Sequence, residues 1–347
     1  MAPQRLGAVL GLLAAVSFGV SAPLAKLLLA EVSPQLLAGL LYLGAGIGLG
    51  VYRLTRSGTR EAALTRADLP PMLGVVALGG VCGPLLLMLG LARVSGTAGS
   101  LLLNLEAPLT IALAAALFGE HLGRRVVFAS ICIVLGAVVL RVSPGEVAAD
   151  LVGVVSVAAA CLCWALDNNL TQRLSLKDPF QVVRIKTLAA GAFNTGLALA
   201  LGSSLPDARV LALALGLGVL SYGISVVLDA YALRAHGAAR EAAYFATAPF
   251  VGALAAVPLL GERPGIAELA AMALMAAGVV SMLDERHAHE HVHEPLEHEH
   301  AHVHDEHHQH DHAPGDPPGE PHVHRHRHTR LVHDHTHVPD LHHRHRH

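Results

Sequence analysis

Charge is scarce in this chain. Asp, Glu, Lys and Arg make up 15% of its 347 residues, where soluble domains carry about 25%. So little charge cannot cover a water-facing surface, and a soluble enzyme is excluded as the body of the chain. Cysteine offers no scaffold either. The four, at 82, 132, 161 and 163, all fall inside apolar runs, so no disulfide framework is expected. Cys161 and Cys163 are two apart and point to different faces of a helix, which suits packing better than metal binding. No Walker motif signals a built-in ATPase. The Gly-rich "LGAGIGLG" lies inside an apolar run without strand context and reads as a packing surface. No paired catalytic groups gather at one membrane face, so no enzyme activity is expected.

What remains is two materials. Residues 1–283 hold 18 Lys and Arg against 14 Asp and Glu, and residues 284–347 hold 6 against 13. Of the 25 His, 23 lie after residue 286. The body contains ten long apolar runs, near 7–28, 34–53, 71–91, 97–118, 126–143, 150–170, 180–203, 209–231, 241–260 and 265–283. Each approaches the ~20 residues that cross a bilayer as helix. They lack the alternating polarity of barrel strands and the wet face of soluble helices. Their many Gly and Ala suit close helix contacts in lipid. The first run is too long for a signal peptide and is followed by many others, so it is expected to stay.

With the N-terminus inside, the inner connections collect 12 Lys and Arg and the outer ones only Arg93, Arg141, Arg209 and Arg263. Excess positive charge marks the cytoplasmic side. A multi-pass protein of the cytoplasmic (inner) membrane, with both termini in the cytoplasm, is therefore expected.

The body repeats itself. "RVSGTAG" with Ala107–Leu109 matches "RAHGAAR" with Ala248–Phe250, giving offsets of 141 for Arg93/Arg234, Gly96/Gly237 and Pro108/Pro249. The offset is 142 for Gly119-Glu120/Gly261-Glu262 and 146 for Phe18/Trp164. A unit of five spans forces the second copy upside down, and such inverted repeats typify secondary transporters. The expected fold is an all-α polytopic membrane protein of ten transmembrane helices in two inverted five-helix repeats, 1–143 and 144–284. A disordered His-rich tail, 285–347, follows.

"NLEAPLTIALAAALFGEHLG", "FATAPFVGALAAVPLLGERPG" and "SFGVSAPLAKLL" carry a resemblance. The chain resembles the EamA-type family of the drug/metabolite transporter superfamily over about 7–283. The resemblance implies ten spans in two inverted repeats, Pro inside the fourth and ninth with Gly-Glu at their ends, and transport without a fixed substrate class.

Several residues are candidates for a central cavity. Pro108 and Pro249 interrupt their helices and free the carbonyls of Asn104 and Phe245. A freed carbonyl in hydrocarbon needs a cavity or a partner. Glu106 lies beside Pro108 near mid-span, with Asn104 two residues back. A carboxylate there is too costly to face lipid, so it is read as binding a cation or moving a proton. Tyr222 and Asp229, seven apart, are placed on one face of the eighth span. Asp167, Asn168, Asn169 and Gln172 form a polar end to the sixth span, with Trp164 a turn away as a wall residue or interfacial anchor. Arg184 and Lys186 are expected to snorkel to the inner surface, and Asn194 to line the wall. The two Gly-Glu pairs are read as structural turns, Gly closing one helix and Glu favoured at the start of the next.

The tail alternates His with Glu, Asp, Arg and Val and has no apolar set able to form a core. His287, His289, His291, His293, His298, His300, His302, His304, His322, His324, His326 and His328 fall in His-x-His spacing. That spacing puts imidazoles on one side of an extended chain, a pattern that suits Zn²⁺, Ni²⁺, Co²⁺ or Cu²⁺. No cofactor is required, and labile Zn, Ni or Co on the tail is the one metal expectation.

A secondary carrier exporting a small organic metabolite by alternating access is the leading reading. The alternatives are a divalent metal transporter and a membrane-anchored metal buffer. The expected partners are a small-molecule solute, the lipid bilayer, a proton as coupling ion and a second copy of the chain, with no nucleic acid.

Overall fold

A computed structural model describes residues 3–55, 64–118, 123–142, 150–171, 174, 177–236, 244–283, 287–293, 297–302, 322–327 and 331–337. The apolar runs fold as helical rods. The first is α1 (Pro3–Gly19) with α2 (Ser21–Leu28), and the second is α3 (Pro34–Thr55). The third is composite: α4 (Leu69–Gly74), a π-helical segment Val75–Cys82, and α5 (Gly83–Leu91). The fourth joins α6 (Gly96–Leu102) to α7 (Glu106–Phe118) through the 3-10 turn Leu103–Leu105. Single helices follow: α8 (Arg124–Val142), α9 (Leu151–Thr171) and α10 (Pro179–Ala200). The eighth rod joins α11 (Ala208–Gly218) to α12 (Ser225–His236) through a second π segment, Val219–Ile224. The last are α13 (Ala248–Leu260) and α14 (Ile266–Leu283).

Among the described residues, six helices are long and apolar enough to cross a membrane: Gly7–Leu28, Pro34–Leu54, Arg66–Leu91, Gly96–Leu117, Leu151–Thr171 and Ala208–Asp229. The protein is a multi-pass membrane protein whose body is all-α. On α8, Val127, Ile131, Val134, Leu135 and Val138 form an exposed apolar stripe, a surface that water would penalise and lipid tails would cover.

Short polar signals start and stop the rods. The Asp178 carboxylate accepts from Phe180 N at 2.9 Å and Gln181 N at 3.2 Å, with Pro179 in the first turn of α10. Asp207 does the same for α11, at 2.8 and 3.0 Å from Arg209 N and Val210 N. Each satisfies N–H groups that the helix leaves without partners. Gly261 closes α13 at φ 67°, the left-handed turn expected of it. Asp150, ahead of α9, is held below the usual carboxylate range by the Arg93 guanidinium and by the Val152 N–H.

The packing has an internal regularity. α3 packs on α10, α8 on α14, and α6 on α13. α1 packs on α12 as α9 packs on α5; α3 meets the second π segment as α10 meets the first; α1 meets α13 as α9 meets α7. Exchanging each rod in these pairs for the one five places along returns another of the same pairs. Small residues allow the approach. A Cβ on Gly44 would strike the Leu215 backbone, and one on Gly218 the Leu41 backbone. Dispersion between closely seated backbones is a main attraction available to helices in lipid.

One seam ties the first half to the second. Glu262 was expected at the start of its own next helix. Its carboxylate instead accepts from Gly96 N at 2.5 Å, and from Thr97 N and Thr97 Oγ1 at 2.8 and 2.7 Å. Ser95 Oγ donates to Glu268 at 3.0 Å across the same seam, while within the first half Lys26 Nζ donates to the carbonyls of Leu91 and Val94 at 2.8 and 2.6 Å. The start of the fourth rod leaves N–H groups open, and the carboxylate that satisfies them arrives from the other half because α6 and α13 are packed together. Glu120, its counterpart in the repeat, lies outside the described residues.

The tail departs from the expectation of disorder in its described parts. His287–His293 (β1) pairs antiparallel with Leu331–His337 (β4), and Glu297–His302 (β2) with His322–Arg327 (β3). A sequence alternating every second residue is compatible with extended pairing even without a core, because the ladder is made of backbone hydrogen bonds.

Gly218→Leu is expected to wedge α3 from the eighth rod and to cost about 1–3 kcal/mol or more, read as a lower melting temperature in detergent. Gly216 has open space around it, and Gly216→Ala should leave the melting temperature unchanged or slightly raised.

Candidate functional site

The first π segment organises a polar centre. A π turn takes backbone carbonyls off the regular helical ladder, and in lipid each must find a partner. The Gly79 carbonyl accepts from Tyr42 Oη at 3.0 Å and from Trp164 Nε1 at 3.1 Å. The Val81 carbonyl accepts from Asn194 Nδ2 at 3.3 Å, and Asn194 Oδ1 accepts from Gln35 Nε2 at 3.1 Å. Side chains from α3, α9 and α10 thus converge on one irregular stretch of the third rod. Trp164 is buried and Asn194 fully buried.

Gly79 lets Asp167 approach, since a Cβ there would collide with the Asp167 carboxylate. Asp167 is ion-paired with Lys186, their side chains 5% and 17% exposed. Lys186 was expected to snorkel. It turns to a buried carboxylate on α9 instead, because an unpaired charge in either place would be far more costly than the pair. The polar end read on the sixth span therefore divides. Asp167 and Asn169 are buried, Asn169 Nδ2 donating to Ala165 O at 2.8 Å and Thr110 O at 3.2 Å, while Asn168 is exposed. Gln172 lies outside the described residues.

Asn168 Nδ2 donates to Glu106 Oε1 at 2.8 Å. Glu106 is within electrostatic reach of both Lys186 and Asp167, and its second oxygen has no hydrogen-bond partner among the described residues. The 3-10 turn Leu103–Leu105 explains its aim. Pro108 cannot donate to the Asn104 carbonyl, so the rod tightens before it and restarts at Glu106. The same turn separates Asn104 from Glu106. Asn104 Nδ2 returns to Leu101 O at 2.9 Å and touches Met275 Sδ at 3.8 Å, facing α14 rather than the Glu106 cluster. Pro249 is placed much as Pro108 is: each sits in the first turn of the helix that follows a tight turn, α13 and α7, where a missing N–H is harmless.

Aromatic rings line one side. Tyr42 and Tyr222 have centroids 5.6 Å apart, Tyr222 and Phe18 5.7 Å, and Phe18 and Phe245 5.3 Å. Phe18 packs on Tyr222 of the second π segment, as Trp164 packs on Gly79 of the first, which matches their alignment in the repeat. Tyr222 is thus in the cluster. Asp229 is not brought to it. The π segment shifts the helical register, so the seven-residue spacing no longer keeps one face, and half-buried Asp229 has no ion-pair partner among the described residues. Tyr42 was not singled out in the sequence, and Phe245 was singled out only for its carbonyl. The Gly79-Gly80 pair was the available signal for an irregular third rod.

Among the described residues no group of three or more His, Cys, Asp and Glu is placed to hold a metal. The candidate metal residues His304 and His328 lie outside the described residues, and the other ten occupy β1, β2 and β3.

Two stretches, residues 5–142 and 151–283, match the EamA-like transporter family. The chain belongs to that family. An "Uncharacterized transporter" of Methanothermobacter thermautotrophicus (strain ATCC 29096 / DSM 1053 / JCM 10044 / NBRC 100330 / Delta H) is 32% identical over 285 residues, covering 77% of this chain and 82% of that protein. A protein whose crystal structure is solved aligns with a TM-score of 0.58 at 20% identity, over 80% of this chain and 96% of that one, and shows the fold alone. As an EamA-like family member the protein is a membrane transporter and not an enzyme. The two matched stretches coincide with the two halves between which the rod contacts repeat.

Lys186→Met leaves the Asp167 carboxylate buried and unpaired, which should cost about 3–5 kcal/mol. The melting temperature of the purified protein should fall accordingly. Asp167→Asn/Lys186→Gln, which removes both charges and keeps hydrogen-bonding groups, should recover most of the loss.

Proposed function

We propose that this protein is a secondary carrier of a small organic solute, working by alternating access about the polar centre between its halves, with Glu106 as the coupling group. The observation that carries this is the Glu106 carboxylate itself. It stands at mid-rod, tied through one oxygen to Asn168, with the other open, in a cluster built from both halves. An intramembrane carboxylate is costly and marks solute or ion paths.

The two halves form inverted five-helix repeats of ten spans in this reading. Support comes from the exchange regularity of the rod contacts, the two π segments in the third and eighth rods, and the twofold family match. The excess of Lys and Arg on one set of connections supports an inner-membrane protein with both termini in the cytoplasm. The Glu262–Gly96/Thr97 and Lys26–Leu91/Val94 hydrogen bonds then lie at the outer end, and a path opening there has to break them. Export of a metabolite is the favoured direction.

In sealed proteoliposomes, Glu106→Gln should keep the protein folded and abolish proton-driven solute transport or remove its pH dependence. Unchanged, still pH-dependent transport at equal protein level would overturn the coupling role.

A second reading concerns the tail. The register sets His287 opposite His337, His289 opposite His335 and His291 opposite His333. It likewise sets His298 opposite His326, His300 opposite His324 and His302 opposite His322. Opposed positions in an antiparallel ladder lie about 4.5–5.5 Å apart, a spacing that suits labile Zn²⁺, Ni²⁺ or Co²⁺ binding. Removing 286–347 should leave the body folded and bring Zn²⁺ binding, measured by equilibrium dialysis at neutral pH, close to zero. Retention of most bound Zn²⁺ would place metal in the membrane body and favour metal as the cargo.

A further inference from the structure

Three charged groups meet at the polar centre, and their signs do not cancel. Asp167 and Lys186 form a contact ion pair. Glu106 is the third, interacting with both. The other charges near the rods are engaged elsewhere: Lys26 on carbonyls, Lys177 with Asp68 at 3.0 Å, Arg53 with Asp178 at 3.8 Å, and Arg93 with Asp150 at 2.9 Å. Arg184 is two residues from Lys186 and so on a different face of α10. Asp229 is not among the charges that act on Glu106. With all three groups ionised the centre carries a single uncompensated negative charge, on the side chain whose second oxygen has no hydrogen-bond partner among the described residues.

Beside that charge stand rings. Tyr42 is close enough to both carboxylates and to Tyr222 to interact with them, and the Tyr222 and Phe18 rings continue from it. Aromatic faces attract cations and apolar bodies and offer little to a free anion. A divalent metal is commonly held by three or more protein ligands, and no group of three or more His, Cys, Asp and Glu is placed to hold one among the described residues.

We propose that the solute of this site is an organic monocation with an apolar or aromatic body. The Glu106 carboxylate holds its charge against the Tyr42–Tyr222–Phe18 rings, and Lys186 sets the accepted valence by neutralising Asp167. This rests on the carrier reading and names its substrate class. Lys186 is then a specificity-determining residue that need not touch the solute. It occupies the place a second cation would take.

Trp164 is the sole Trp and donates to the same Gly79 carbonyl as Tyr42, so its fluorescence reports on the site directly. The full chain in lipid nanodiscs is titrated with three permanently charged probes: phenyltrimethylammonium, benzenesulfonate and 1,4-bis(trimethylammonio)benzene. The wild type should respond saturably to the monocation, with affinity at least about tenfold above that for either other probe. Glu106→Gln should weaken monocation binding by about tenfold or more, equivalent to ~1.4 kcal/mol. Asp167→Asn/Lys186→Gln keeps the net charge and should keep monocation binding. Lys186→Gln doubles the negative charge and should shift preference toward the dication. Where that single variant fails to fold, the double variant and Glu106→Gln decide the matter. No saturable response to the monocation, equal binding of benzenesulfonate, or loss of monocation binding in the double variant with retention in Glu106→Gln would overturn the proposal. Solute flux in proteoliposomes is measured separately. A protein that transports neutral or anionic solutes and ignores cations refutes only the substrate class, whereas one that moves no solute refutes the carrier reading.

Discussion

Backbone polarity in hydrocarbon is the constraint on which the rest depends. A helix can cross lipid because its peptide groups pair internally, and every departure from the ladder must be repaired by something else. The third rod departs at Val75–Cys82, and the repair recruits Tyr42, Trp164 and Asn194 from three other rods. The fourth rod departs at Leu103–Leu105 because of Pro108, and the restart aims Glu106 at Asn168. The polar centre is thus the place where two irregular rods have been made tolerable. Several of its side chains are there for backbone reasons.

That arrangement makes the charges less arbitrary than they look in isolation. Asp167 can be buried because Gly79 leaves room and Lys186 supplies the opposite charge. A buried pair adds little net stability compared with apolar packing, and breaking it is expensive. Its value lies in leaving Glu106 as the one unbalanced group. Two carboxylates and one ammonium give a centre with a defined sign, which two carboxylates alone, or a matched pair alone, would not.

The two halves are alike in contacts and unlike in chemistry. Phe18 and Trp164 occupy matching places against the two π segments, yet only Trp164 donates a hydrogen bond there. Glu106 has Thr247 in the matching position of the second half. Under the alternating-access reading, the regular contacts would supply two packed bodies and the unlike residues between them a site with one orientation.

Much of the molecule was legible in the sequence. Long apolar runs, the His-rich tail, the paired Pro and Gly-Glu motifs and the family resemblance all depend on local composition and order, which burial in lipid imposes directly. Glu106, Trp164, Asn168, Asn194 and Tyr222 could be singled out because polar and aromatic groups are rare in such runs. The partners could not be read. That Lys186 meets Asp167 and does not reach the surface, that Glu262 caps a helix of the opposite half, and that Asn104 turns away from Glu106 follow from rod packing and from two π segments and a 3-10 turn. Each of these irregular turns rotates every later side chain relative to a uniform helix. Spacing arguments assume 3.6 residues per turn, and they fail where the chain abandons it, as between Tyr222 and Asp229. Sequence determined which residues are costly in a membrane; only the tertiary structure decided which of them share that cost, because compensation requires contact across rods that are far apart in the chain.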